Sequence, residues 1–197
     1  MSNTHAQASL SPGWEAKQAE LLLRLQALPP MDAPIHKPPA TLRIVQATAA
    51  ESLRVLQIMQ SSFAEYRGVL DPPSGVETET VADVEQALTE GGNLLAWEGV
   101  NAVASARFRL TPDYLYVGRL AVLPDQRGRG IASALMRYME TIASATARPE
   151  IALGTRMRLS QNIALYRKLG YEITKTQQHP RGTDIIVWLV KRLPPSP

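Results

Sequence analysis

A predicted strand, a glycine-rich turn and a predicted helix follow one another in residues 117–142, and this stretch most constrains how the chain can fold. Residues 117–123 are short, mostly apolar and partly β-branched, which is typical of a strand buried on both faces. Pro124 and Asp125 end that strand, because proline cannot donate to a ladder and the pair favours a turn. Beyond the turn, apolar residues recur on one helical face, at positions 131, 134, 135, 138, 139 and 142.

The loop between this strand and this helix reads Gln-Arg-Gly-Arg-Gly over residues 126–130. Glycine allows a tight turn and, lacking a Cβ, lets a ligand approach the backbone. The loop leads into a helix N-terminus, where free N–H groups and the helix dipole favour an anion. The loop and its two arginines therefore predict a pyrophosphate site. The simpler alternative is a tight turn with solvated arginines.

A dinucleotide-binding fingerprint is a second interpretation of the same loop. Gly128 and Gly130 would begin it, but the third position holds Ser133 instead of glycine. The acid expected at the end of the next strand would be Glu150. Glu150 precedes the apolar run at residues 151–153, so it lies at the wrong end of that strand to meet a ribose. The sequence disfavours this interpretation.

Two motifs together resemble the GNAT superfamily of N-acetyltransferases. The family's loop has Arg or Gln, two residues, Gly, one residue, then Gly or Ala, and Arg127, Gly130 and Ala132 match it in register. Downstream, Asn162 is followed by Tyr166 and then by a Leu-Gly-aromatic ending, as in the family's second signature. Two motifs with an apolar strand between them are much more specific than either alone.

Composition argues against several other classes of function. The chain has no cysteine, which excludes disulfides, thiolate metal sites and a cysteine nucleophile, and its three histidines are too scattered for a zinc motif. A net charge of +3 is too small to indicate by itself a surface that binds nucleic acid. No apolar run approaches the roughly 18 residues of a membrane span. The first thirteen residues lack the features of a signal peptide. We therefore expect a cytoplasmic protein without a metal, a nucleic-acid partner or a membrane partner.

Charge is unevenly distributed along the chain. Between Glu65 and Glu98, eight acids stand against Arg67 alone, a net charge of −7, whereas residues 148–197 carry +6. Solvated surfaces are the simpler explanation. The alternative is an acidic side that attracts a cationic amine and a basic side that attracts an anionic cofactor.

The chain divides into an N-terminal extension, residues 1–40, and a domain, residues 41–197. Residues 1–13 are polar and aperiodic, and we expect them to be disordered. A helix at about residues 14–28 follows, and then a proline-rich stretch that predicts an extended linker. We expect this helix to pack on its own domain. Packing on a second subunit, which would give a homodimer, is the alternative.

The domain's predicted elements follow the order β-α-α-β-β-β-α-β-α-β-β, an α/β domain. The strands are predicted at residues 42–47, 93–98, 102–110, 114–123, 151–155, 171–176 and 184–190. The helices are predicted from Thr48, with Glu51 completing a capping box, to about 66, and at residues 77–90, 131–142 and 161–169. Gly91 and Gly92 are expected to end the second of these helices. The resemblance implies the GNAT fold, a mixed central sheet with helices on both faces and strands splayed at the acyl-CoA site.

The resemblance also implies how acetyl-CoA, the co-substrate, is held. In the family the loop backbone binds pyrophosphate, and pantetheine lies between two splayed strands, here residues 119–123 and 151–155. The implied cofactor-binding residues are Leu120, Ala121, Val122, Arg127, Gly128, Arg129, Gly130, Ile131, Ala132 and Asn162. For the strand residues the alternative is a plain core strand. For Asn162 it is an ordinary first-turn or N-cap position.

Tyr166 matches the family's general acid. It lies on one helix face with Asn162 at i and i+4, and a phenol with a pKa near ~10 stays protonated at neutral pH. The alternative role is packing under the sheet. The predicted strand at 114–123 carries no carboxylate for a base, so a water relay is the default, with Glu77, Glu79, Glu98 and His179 as side-chain candidates. Glu79 is also the candidate for binding the acceptor amine.

These residues predict an N-acetyltransferase that moves an acetyl group directly to a primary amine in a ternary complex. The acceptor would be a small molecule or a peptide. A non-catalytic acyl-CoA-binding or regulatory module on the same fold is the competing interpretation. An open channel beyond Tyr166 favours the enzyme, and a plugged one favours the binding module.

Overall fold

A computed structural model describes residues 13–36 and 40–194. Its eight strands form one sheet in the order β1-β2-β3-β4-β5-β6-β8-β7. The strands are β1 (Met31–Ile35), β2 (Ala40–Gln46), β3 (Gly91–Glu98), β4 (Asn101–Leu110), β5 (Leu115–Val122), β6 (Glu150–Arg156), β7 (Glu172–Gln178) and β8 (Ile185–Arg192). The helices are α1 (Trp14–Gln26), α2 (Ser52–Phe63), α3 (Val81–Glu90), α4 (Ile131–Ala145) and α5 (Ser160–Lys168). The predicted disorder of residues 1–12 lies outside the described residues.

Helices cover both faces of this sheet. Successive strand residues point to opposite faces, so Leu94 joins the core under α1 and α4 while Leu95 joins the core under α2 and α3. Every strand pair is antiparallel except β5 and β6. The predicted α/β architecture with a mixed sheet is confirmed. Within the described residues, no helix combines the length and apolarity that crossing a bilayer requires.

The two parallel strands pair at one end only. Leu115, Tyr116 and Val117 of β5 lie opposite Ile151, Ala152 and Leu153 of β6, and the pairing stops there. Both strands continue for several residues beyond that point. They therefore splay apart, as the resemblance implied, and leave ladder groups available to another extended chain.

A β-bulge interrupts β5 where the splay begins. Arg107 of β4 is opposite Gly118 and Ser105 is opposite Ala121, so Arg119 and Leu120 together face a single residue of β4. Arg119 has a φ of 51°, in the left-handed region that non-glycine residues rarely occupy. A bulge bends its strand and re-aims its side chains. The sequence analysis did not predict this feature.

The N-terminal extension packs on its own domain, as expected. Trp14, Leu21 and Leu25 of α1 are buried in the core beneath α4. The prediction of a plain linker after α1 was wrong, because residues 31–35 form β1 and pair antiparallel with β2. Pro34 is compatible with this position because β1 is an edge strand, where one side of the backbone needs no partner.

Local capping and packing shift two predicted boundaries. Thr48 and Glu51 form the predicted capping box. The second helix begins at Val81 and not at 77, because Thr80 and Asp83 form a capping box there. The helix ends at Glu90 with Gly91 as its C-cap, as predicted, but the next strand begins at once, because Gly91 and Gly92 are the first residues of β3 and not of a connection before residue 93. A Cβ on Gly91 would collide with the backbone of Phe108 on β4, so the close approach of these strands requires glycine.

Candidate active site

The glycine-rich loop presents backbone to an open cleft. Gly128 and Gly130 both have positive φ, 74° and 88°. Gly130 is the N-cap of α4, whose first N–H groups have no partner within the helix. A Cβ built on Gly130 would meet only His36 Cδ2, at 4.0 Å. An anion can therefore approach the N–H groups at the start of α4 closely.

The two loop arginines are engaged by protein groups. Arg129 is buried and donates through Nη1 and Nη2 to the Glu98 carboxylate, at 2.7 and 2.8 Å. That hydrogen bonding holds the pKa of Glu98 below its usual value. Arg127 forms an ion pair with Glu65 at 2.5 Å and donates to the Ser62 carbonyl at 2.9 Å. The arginines therefore anchor the loop to β3 and α2.

A cleft of about 510 Å³, here called the loop cleft, extends from this loop to α5. Every predicted cofactor-binding residue lines it except Arg129, whose side chain turns away towards Glu98. Among its described lining residues Arg127 and Lys168 are cationic and none is an acid. Nine of its lining residues were not among the predicted site residues: His36, Ser62, Phe63, Tyr66, Gln126, Ser133, Gln161, Leu165 and Lys168.

A second cavity of about 250 Å³, here called the inner cavity, lies between the splayed ends of β5 and β6. Arg119, Arg156 and His179 line it, and none of its described lining residues is an aspartate or glutamate. Its walls are otherwise mainly apolar or aromatic, with Phe63, Leu70, Leu120, Leu159, Ile186 and Trp188. The sequence analysis proposed no role in binding for Arg119 or Arg156, because their convergence depends on the bulge and on the splay.

Tyr166 lies where the loop cleft and the inner cavity meet. It lines both spaces, as does Asn162, one turn earlier on the same face of α5. The Tyr166 side chain is buried, and that burial raises the pKa of its phenol well above the ordinary value. The predicted placement of this pair on one helix face agrees with the geometry, and the space beyond Tyr166 is open.

Glu79 lies in a third space of about 550 Å³, the outer cleft, which adjoins the inner cavity at Arg119 and Trp188. Its Oε1 accepts from Arg107 Nη1 at 2.7 Å and from Arg119 Nε at 3.2 Å. The three side chains together carry a net positive charge. Binding of an acceptor amine by Glu79 stays a prediction, and these contacts favour a role in orienting the arginines.

The uneven charge along the sequence is largely compensated in space. In the acidic segment, four glutamates pair with arginines from other parts of the chain: Glu65 with Arg127, Glu79 with Arg107 and Arg119, Glu90 with Arg109, and Glu98 with Arg129. These pairs weaken the argument for an acidic side that attracts a cationic amine.

Splayed parallel strands beside a glycine-rich anion loop, with a buried phenol between two open spaces, define an acyltransferase that uses an acyl-CoA donor. The comparison with known families gives the same class. The chain belongs to the acetyltransferase (GNAT) family, whose model matches residues 55–171. The resemblance drawn from the two motifs and the GNAT fold are thereby confirmed. The protein is an acetyltransferase, and its acetyl donor is acetyl-CoA.

Individual relatives are distant in sequence. The chain is 27% identical over 172 residues to an S-alkylcysteine N-acetyltransferase of Bacillus subtilis, covering 76% of this chain and 88% of that protein. Its fold is similar to that of PaiA N-acetyltransferase from Thermoplasma acidophilum in complex with coenzyme A, with a TM-score of 0.66 and 16% identity over 77% of this chain and 99% of that one. A GNAT acetyltransferase from Elizabethkingia anophelis with acetyl-CoA bound has a TM-score of 0.61 at 17% identity, and the match covers 77% of this chain and 98% of that one.

Proposed function

We propose that this enzyme transfers the acetyl group of acetyl-CoA directly to a primary amine within a ternary complex. The observation that carries the proposal is the position of Tyr166, between a cleft suited to the cofactor and a separate cavity open to an acceptor. Two substrates can then reach one phenol from opposite sides. The chain has no cysteine that could carry the acetyl group as a thioester, which favours direct transfer over a route through an acyl-enzyme.

The loop cleft supports the placement of the donor. The N–H groups of residues 128–132 would hold the pyrophosphate at the start of α4. The pantetheine arm would lie in the loop cleft along the splayed end of β5, where the free backbone groups of Leu120 and Val122 need partners, and would leave the inner cavity to the acceptor. Asn162 would bind the pantetheine amides. The bulge leaves Arg119 and Leu120 opposite a single residue of β4, so an N–H group there that is not used in the ladder can stabilise the carbonyl oxygen as charge develops on it.

The chemistry then follows from the surroundings of Tyr166. The amine nitrogen attacks the thioester carbon, the C–S bond breaks, and Tyr166 donates its phenolic proton to the departing sulfur. The proton that the nitrogen loses on becoming an amide is passed through water to the Tyr166 phenolate, which restores the phenol. Burial keeps that phenol protonated at neutral pH. No described residue lining either the loop cleft or the inner cavity is a carboxylate. His179 lines the inner cavity, but its Nδ1 accepts the Arg181 N–H and its Nε2 then carries the ring proton. We therefore assign removal of the ammonium proton to water.

The inner cavity favours a small acceptor over a folded protein. Its volume of about 250 Å³ corresponds to roughly eight water molecules at about 30 Å³ each. The Bacillus subtilis relative is named for acetylation of an S-alkylcysteine, a small amine. A small-molecule amine, or the terminal residue of a peptide, fits this space.

Steady-state kinetics test the proposal. Initial rates measured over a grid of acetyl-CoA and amine concentrations should give intersecting double-reciprocal lines, which indicate a ternary complex. Mass spectrometry of enzyme incubated with acetyl-CoA alone should show an unchanged chain mass. Parallel lines together with a stable acetylated chain would replace direct transfer with a covalent route.

A further inference from the structure

Arg119 is held at one edge and open at the other. Its Nε donates to Glu79 at 3.2 Å, whereas its two Nη atoms have no partner among the described residues. About one third of the side chain is exposed, and it lines both the inner cavity and the outer cleft. A guanidinium fixed through Nε presents a planar pair of donors, which matches the geometry of a carboxylate.

Gly75 and the strained backbone fix the position of this guanidinium. A Cβ on Gly75 would lie 2.8 Å from Arg119 Nη2, so the side chain passes directly over that glycine. The φ of 51° at Arg119 is strained for a non-glycine residue. Such strain clusters at binding and catalytic sites, where surrounding contacts maintain it.

Arg156 approaches the same cavity from β6. Its Nη1 is buried without a hydrogen bond among the described residues, and Asp184 lies 3.9 Å away. That carboxylate has a closer partner in Arg158, at 2.5 Å. Burial lowers the pKa of Arg156, but an arginine is not deprotonated at neutral pH. Its positive charge is therefore incompletely compensated.

His179 adds a neutral donor to this group. Burial and the nearby Arg156 and Arg181 lower its pKa, so the imidazole is uncharged at neutral pH. Its Nδ1 accepts the backbone N–H of Arg181 at 3.2 Å, which places the ring proton on Nε2. The polar end of the inner cavity thus offers two guanidiniums and an N–H donor, with no acid among its described lining residues.

We propose that the inner cavity binds an acceptor carrying a carboxylate beside its amine, with Arg119 and Arg156 holding that carboxylate and the apolar wall holding the acceptor's side chain. The acceptor class is a small amino acid with an apolar side chain, and this inference rests on the proposed transfer to an amine. It departs from the cationic acceptor that the charge distribution along the sequence suggested. The carboxylate supplies a hydrogen-bond acceptor for Arg156 Nη1, whose nearest anion is Asp184 at 3.9 Å. Phe63, Leu70 and Trp188 provide the apolar contacts.

Matched pairs of acceptors provide the test. L-methionine and L-leucine are compared with L-methioninamide, L-leucinamide and isopentylamine, with CoA release followed at saturating acetyl-CoA. The wild-type enzyme should favour each acid over its amide in kcat/KM. The comparison is stringent, because the amine of an amino amide is less basic than that of the amino acid. More of it is unprotonated at neutral pH, and this alone would favour the amide. Hydrogen bonds to a charged group predict a preference of about 10–100-fold.

Variants then locate the carboxylate site. Arg119→Gln and Arg156→Gln should each lower kcat/KM for the acids by about 10–100-fold while changing the amides little. Arg119→Lys, which keeps the charge but not the paired donors, should recover part of the loss. Arg109→Gln is the control, because Arg109 lines the outer cleft and not the inner cavity. CoA affinity, measured by calorimetry, verifies that each variant is folded.

The outcomes separate the two proposals. Amides or isopentylamine turned over as well as the acids would overturn the carboxylate site and leave the N-acetyltransferase intact. An acid preference that survives in both Arg119→Gln and Arg156→Gln would also overturn the assignment. Acetyl-CoA binding with no turnover of these acceptors or of a broad amine panel would instead count against transfer to an amine.

Discussion

The substitution Tyr166→Phe examines the catalytic assignment most directly, because it removes one oxygen and keeps the ring. The Tyr166 hydroxyl makes no hydrogen bond to another described residue, and the ring packs edge-on against Tyr171 with centroids 6.1 Å apart. A typical hydrogen bond contributes about 0.5–1.5 kcal/mol to stability, and here none to protein is lost. We therefore expect the free energy of unfolding to change by less than about 1 kcal/mol.

The expected effect on rate is much larger. A positioned general acid contributes roughly 10²–10⁴-fold, and a thiol with a pKa near ~8.5 is already a fair leaving group. We expect the lower end, a loss of about 100-fold in kcat, which corresponds to about 2.7 kcal/mol in the barrier. Burial raises the pKa of Tyr166, but a leaving thiolate in the same dry site is also desolvated, and its affinity for a proton rises too.

Tyr171→Phe is a matched control for this experiment. Tyr171 is the neighbouring buried tyrosine, its hydroxyl also has no hydrogen-bond partner in the described part of the chain, and it is not among the described residues that line the loop cleft or the inner cavity. Measurements of kcat, CoA affinity and melting temperature on both variants separate catalysis from packing. An unchanged kcat in Tyr166→Phe, or an equal loss in both variants, would remove Tyr166 from the mechanism.

Two further predictions concern the loop and its anchor. Gly130→Asp should abolish CoA binding in calorimetry, since it adds a negative charge beside the phosphates. Gly13→Asp is the control and should leave CoA affinity intact. Gly13 also caps a helix, and its φ of 87° is nearly that of Gly130, 88°. Equal affinity in both variants would reject the site. Hydrogen bonding from Arg129 lowers the pKa of Glu98 in the folded protein. The stability that ionised Glu98 contributes to the fold is therefore fully present above about pH 4.3, its pKa in the unfolded chain. It is lost as the pH falls through the lower pKa of the folded state. Wild type should therefore have a higher urea midpoint than Glu98→Gln at pH 6, the gap closing towards pH 3; a constant gap would contradict the assigned pKa.

Local patterns in the sequence predicted the central part of this molecule. The strand, loop and helix of residues 117–142 were recognisable because apolar periodicity and glycine placement are local signals. The Thr48 capping box was predicted for the same reason. The spacing of Asn162 and Tyr166 fixes their shared helix face whatever surrounds them. Their position beside the loop cleft followed from the family resemblance.

The missed features all depend on contacts between distant parts of the chain. β1 lies in a proline-rich stretch that suggests a linker, and only its pairing with β2 makes residues 31–35 a strand. Gly91 and Gly92 indicate the end of a helix, and only their contact with Phe108 shows that they also begin β3. Arg119 is an ordinary strand residue in the sequence, because the bulge that aims it depends on its register with β4. The pairing of Glu65, Glu79, Glu90 and Glu98 with arginines that are distant in the sequence could not be predicted from the charge runs for the same reason.

The anchoring of the loop arginines has a consequence for how the cofactor is received. Because Arg129 is held by Glu98 and Arg127 by Glu65, the loop is preorganised before any phosphate arrives. The conformational entropy lost in shaping it is therefore a cost of folding, and little of the binding energy of CoA is spent on ordering the loop. CoA affinity should thus be sensitive to residues that never touch the cofactor.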